Sequence, residues 1–103
     1  MIRNAAEFQA ARGRWTEAVE AGRLDEALAL VEEALAWAEV DGDELLRDRA
    51  VCNRAAIALE LGSGTVHIAS LRALLMRAAD PESSYLAAYT IARHHELQKE
   101  HQK

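Results

Sequence analysis

The residues best suited to chemistry gather at the C-terminal end, where His94, His95, Glu96 and His101 lie in one polar run, HHELQKEHQK. His95-Glu96-Leu97-Gln98-Lys99 begins like HExxH, a motif in which two histidines four apart on a helix hold zinc and the glutamate activates water. Position 99 is Lys, so the second ligand is missing. His94 and His101 would stand ~10 Å apart along a helix face, too far to share one ion. The single cysteine, Cys52, lies in the Ala-rich stretch RAVCNRAAIALELG. Neither a turn nor a helix N-terminus is there to lower its pKa, so it reads as a small packing thiol. His67 reads as a partly exposed polar residue. Trp15 and Trp37 could stack on a ligand, but packing between helices accounts for them better. There is no phosphate loop, dinucleotide fingerprint or paired-carboxylate site. The expectation is therefore no catalytic residue, no cofactor and no metal.

Composition points to helices. Half of the 103 residues are hydrophobic, many of them Ala, only 5% are aromatic, and Pro81 is the single proline. Such a chain favours closely packed helices over sheets. Its formal net charge is −5, which argues against broad nucleic-acid or anionic-membrane binding. The charge is uneven: Glu17 to Asp48 is acidic, opposed only by Arg23 and Arg47, while Arg3, Arg12, Arg14, Arg93, Lys99 and Lys103 lie towards the ends. Solvated helix faces explain this simply; a sharper reading is that acidic middle and basic ends steer partners. No apolar run approaches the ~18 residues of a membrane span. The N-terminus lacks the apolar core of a secretory signal. With one cysteine and hence no internal disulfide, the chain is expected to be cytoplasmic.

Local signals divide the chain into five helices, over 4–20, 24–40, 43–61, 65–79 and 82–100. Asn4 with Glu7 has the form of a capping box, and Phe8, Ala11, Trp15 and Ala18 continue on one face. Gly13 weakens that helix by roughly 1 kcal/mol relative to Ala. Gly22 suits its C-terminal closure. Asp25 and Glu26 suit the positive end of the second helix. Asp41 with Glu44 has the form of a second capping box, and Leu45, Leu46, Ala50, Val51 and Ala55 continue the third helix. Gly62-Ser63-Gly64 ends it, with Ser63 or Thr65 able to cap the fourth. Asp80 and Pro81 suit the N-cap and first position of the fifth, which carries Tyr85, Leu86, Tyr89, Ala92 and Leu97.

A period of forty residues runs through this pattern. Leu28, Val31, Leu35 and Ala38 fall on Ile68, Leu71, Leu75 and Ala78, and Gly22 falls on Gly62. A fixed period of this size is the mark of a stacked helical array. AGRLDEALALVEEAL resembles the second half of a tetratricopeptide repeat (TPR), with Ala27 and Ala34 at the two small positions, Val31 between them and Leu24 before them. VCNRAAIALELG resembles the first helix of the family's unit, with Ala55 at the small packed site and Asn53 at a polar site facing the groove. The spacing exceeds the standard ~34 residues and is similar to the longer units of kinesin light chains and bacterial peptide-sensing regulators. Trp15 stands at the small site of the first unit, as an end cap would. His67 and Leu74 replace the small pair in the second.

The resemblance implies one domain, an all-α, right-handed α-α superhelix of about five antiparallel helices, with units at 4–42 and 43–80 and an extra helix at 82–100. It implies protein–protein or peptide interaction without catalysis, through a concave face lined by the first helix of each unit. By position that face holds Arg12 and Thr16, then Arg49, Asn53, Ala56 and Glu60, with Arg93 on the fifth helix. Asn53 would hydrogen-bond a peptide backbone and Arg49 would pair with a carboxylate. The fifth helix would lack its partner, leaving Tyr85, Leu86 and Tyr89 half covered. This implies a longer array or a homo-oligomer through that helix. The rival expectation is a ligand-sensing regulatory domain whose groove switches an attached output, which needs a second domain beyond this sequence.

Overall fold

A computed structural model of the chain describes residues 2–41, 43–77 and 79–101. Ala78, Lys103, the side chain of His101 and residue 42, where the first expected unit ends, lie outside the described residues. Those described form α1 (Ala5–Glu20), α2 (Leu24–Asp41), α3 (Glu44–Glu60), a 3-10 turn (Gly64–His67), α4 (Ile68–Met76) and α5 (Pro81–His101), with no strand among them.

Short polar side chains start α1, α3 and α5 by occupying backbone N–H groups that the helix leaves unbonded. Asn4 accepts from Glu7 N at 2.9 Å. The return half of that box reaches one residue further back, where the Glu7 carboxylate accepts from Arg3 N at 2.9 Å. Asp41 does not cap α3: it is the last residue of α2. Asp43 takes the role, accepting from Leu46 N at 3.0 Å, because its extended backbone turns the carboxylate onto the first turn. Asp80 caps α5 through Ser83 N at 3.2 Å, with Pro81 as first helical residue.

Burial opposes ionisation of Asp80, yet hydrogen bonding from Ser83 and the charge of Arg49 outweigh it and hold its carboxyl below the usual range. Its contribution is therefore present above the unfolded-state pKa of about 3.9 and is lost as pH falls through the lower folded-state value. Asp80→Ala is expected to cost about 1 kcal/mol at pH 7. Urea titrations at descending pH are expected to show the variant losing less stability on acidification than wild type.

α1 and α3 end alike. Gly22 (φ +79) and Gly62 (φ +87) adopt the left-handed conformation that glycine tolerates. Gly22 N donates to Val19 O and Arg23 N to Ala18 O; forty residues on, Gly62 N donates to Leu59 O and Ser63 N to Ala58 O. Both are Schellman closures. The helices beyond them differ in length, since α2 has 18 residues and α4 has nine. The helix expected at 65–79 ends at Met76 and starts late, at Ile68, where Gly64 lies against α3: a Cβ there would sit 2.6 Å from Leu59 Cα. The chain clears α3 as a 3-10 turn before α4 begins. Ser63 makes no cap bond, its hydroxyl donating back to Ala58 O at 3.3 Å.

Contacts between helix ends set directions. Phe8 near the start of α1 meets Trp37 near the end of α2, with ring centroids 6.1 Å apart. Arg77, just past α4, donates to the buried Asp48 near the start of α3 at 2.9 Å. These pairs make α1/α2 and α3/α4 antiparallel. Arg49–Glu82 (3.1 Å) joins the starts of α3 and α5, and Glu60–Arg93 (3.6 Å) lies further along both. α3 and α5 therefore run parallel.

One core cluster, around Phe8, Trp15, Val31 and Leu35, lies among α1, α2 and α3. A second, around Cys52, Leu71, Leu74 and Ala87, lies among α3, α4 and α5. Val51 packs against both. The inward face of α5 is formed by Ser83, Ala87, Thr90 and His94 rather than by its tyrosines. Small side chains at Ser83 and Ala87 let the helix close on Cys52 and Ala55, while Tyr85 and Tyr89 stay 73% and 58% exposed.

Candidate functional site

α1, α3 and α5 each present one face to the same side of the molecule. A cleft of about 350 Å³ opens there among α1, α3 and α5. Trp15 and Val19 of α1 and Ile57 of α3 give it an apolar floor, and Tyr89 of α5 forms a wall. Four expected residues, Thr16, Asn53, Ala56 and Glu60, line this cleft together. A neighbouring cleft of about 340 Å³ shares Glu60 and Tyr89 with it and extends past Ala92 and Arg93. The result is one groove, with most of its apolar surface in the first part.

Asn53 Nδ2 donates to Arg49 O at 2.8 Å, one turn back on its own helix. Its second N–H and its Oδ1 remain for a ligand, since an amide offers two donors and an acceptor. Thr16 Oγ1 donates to Arg12 O at 2.9 Å.

The three expected arginines flank the groove as members of ion pairs. Arg12 pairs with Glu82 at the start of α5. Arg49 reaches the same Glu82 at 3.1 Å and Asp80 at 3.7 Å. Its charge is thus already met, and it holds the N-terminus of α5 against α3 instead of standing ready for a ligand carboxylate. Arg93 lies 3.6 Å from Glu60 and 3.4 Å from Glu96.

Sequence reasoning missed Tyr89 as a groove wall, and Glu82 and Asp80 as the arginines' partners. It also missed Glu20, which lines the cleft at the end of α1. A signal for Glu20 was present, since it stands forty residues before Glu60.

The other chemically capable groups lie elsewhere. Cys52 is buried, and its thiol donates to Ser83 O at 3.4 Å. Burial, with the charges of Asp48 and Asp80, pushes its pKa up to about 12, the opposite of what a nucleophile needs. His67 is half-buried; burial first, then Arg54, lowers its pKa. His94 is buried beside Gly64, Thr65 and Leu97, where a cleft of about 280 Å³ opens at the end of α3. Trp15 is a core residue, and Trp37 packs on Phe8. Among the described residues no group of three or more His, Cys, Asp or Glu is placed to hold a metal. No helix of the described residues is long and apolar enough to cross a membrane. No family model, curated protein or solved structure matches the chain.

Proposed function

We propose that this chain is a non-catalytic interaction scaffold of the TPR type. In this reading its helices form a right-handed stack, and the groove among α1, α3 and α5 holds a peptide or partner helix. The observation that carries the reading is the convergence of Thr16, Asn53, Ala56 and Glu60 on one open cleft with an apolar floor. An apolar floor with a few oriented polar groups is how concave sites combine affinity with specificity. The matched Schellman closures at Gly22 and Gly62 support a repeated hairpin unit.

Peptides selected by display on the whole chain test this. They are expected to shift the amide resonances of Thr16, Asn53, Ala56 and Tyr89. Ala56→Arg, which fills the half-buried floor, is expected to weaken them about tenfold or more. Arg49 is a poorer position to vary, because its loss would also loosen α5. Peptides that bind Ala56→Arg as well as wild type, or that map to α2 and α4, would remove the groove from the proposal.

A further inference from the structure

We infer that the groove selects a basic amphipathic segment of a partner protein: an aliphatic or aromatic side chain on the Trp15–Ile57 floor, and a lysine or arginine at the Glu20–Glu60 end. This rests on the groove being the binding surface. Glu20 and Glu60 are the last residues of α1 and α3, and both line the same cleft. The carbonyl ends of the two helices therefore come together there, with their partial negative charge. That end of a helix favours Lys, Arg or His, yet neither helix has a basic residue in its last turn and each has a glutamate instead. The arrangement works against both helices, and in α1 and α3 the two glutamates fall on the same cleft.

The facing charges leave an excess of carboxylate. α5 contributes Glu96 and one cation, Arg93, which lies between Glu60 and Glu96. Arg23, in the turn after α1, is held by Glu26 at 2.6 Å. Glu20 has no ion-pair partner among the described residues. Tyr89, with much of its ring exposed, adds an aromatic face on which a cation can rest. At the other end Arg12 and Arg49 are already matched by Glu82 and Asp80, so an acidic group gains nothing comparable there. Arg93 shows within the chain that a guanidinium fits between Glu60 and Glu96, on the α5 side of the proposed position.

Three short probe peptides, capped at both ends and alternating leucine with arginine, glutamine or glutamate, test the inference on the whole chain. In low salt the arginine peptide is expected to bind about tenfold more tightly than the glutamate peptide, with amide shifts at Thr16, Ala56 and Tyr89. Glu20→Gln combined with Glu60→Gln is expected to narrow that preference to about twofold, and added salt to narrow it in wild type. Glu20→Gln alone is expected to melt no lower than wild type, because it removes a charge that the helix end opposes. Loss of binding is thereby separated from loss of folding. If the glutamine or glutamate peptide binds the groove as tightly as the arginine peptide, this inference is overturned and the groove reading stands. If the arginine peptide shifts only residues outside the groove, or none, the inference is overturned, and the display peptides on Ala56→Arg decide the groove separately.

Discussion

Gly64→Ala is expected to lower the free energy of unfolding by about 2–3 kcal/mol, read from urea denaturation followed by circular dichroism. An added Cβ would meet Leu59 Cα at 2.6 Å, Leu59 Cβ at 2.7 Å and Leu59 N at 2.8 Å. None of these is the free end of a flexible side chain. Either the last turn of α3 or the 3-10 turn must move, and the closure at Gly62 lies between them. Two other glycines serve as controls. Gly13 has open space around it in the middle of α1, so Gly13→Ala is expected to stabilise by about 0.5–1 kcal/mol. Gly62 also has open space but a positive φ, so Gly62→Ala costs about 1–2 kcal/mol through backbone strain alone. A Gly64→Ala variant as stable as wild type would show that the 3-10 turn is not pressed onto Leu59.

Trp15→Ala is expected to cost about 3–5 kcal/mol, the larger of the two effects. The side chain is 2% exposed and meets Phe8 edge to face, with centroids 5.7 Å apart. Truncation removes that contact and leaves a cavity that neighbouring helices fill only in part. Because Trp15 is also the floor of the groove, peptide binding is expected to weaken even at temperatures where the variant remains folded. Val19→Ala lies beside it but is 40% exposed, and is expected to stay within about 0.5 kcal/mol of wild type. A loss below about 1 kcal/mol for Trp15→Ala would place the ring outside the core.

Much of the helical layout was legible because helix ends are written in local chemistry. Asn4, Gly22, Gly62 and Asp80-Pro81 each act within a few residues of their own position, and each does what its type implies. The errors fall where a distant contact decides. Asp41 and Asp43 are equally good caps by composition, and only the backbone at the break selects the second. The start of α4 depends on Leu59 pressing on Gly64, which no spacing rule encodes. The inward face of α5 reverses the ranking by hydrophobicity. Ser83 and Thr90 are buried with hydroxyls that have no hydrogen-bond partner among the described residues, while both tyrosines face out. Closeness of approach to α3 outweighed apolar area there.

The candidate site divides along the same line. Thr16, Asn53, Ala56 and Glu60 were expected on one face by their positions in the resembled repeat, and they share a cleft. Arg49 was read as an available charge and Arg12 as a position on the same face, but Glu82 reaches both once α5 docks. Docking of a fifth helix is a tertiary event, and the acids it brings were not visible as partners from their place in the chain.

α3 contributes residues to both core clusters, and Val51 touches each. That makes it the shared wall of two core clusters. Fraying of α1 is expected to loosen the Phe8–Trp15 cluster first and fraying of α5 the other, whereas melting of α3 is expected to remove both. Under the proposed function, a partner along the groove would touch this shared helix together with α1 and α5, so its binding would tie the opening of one cluster to that of the other.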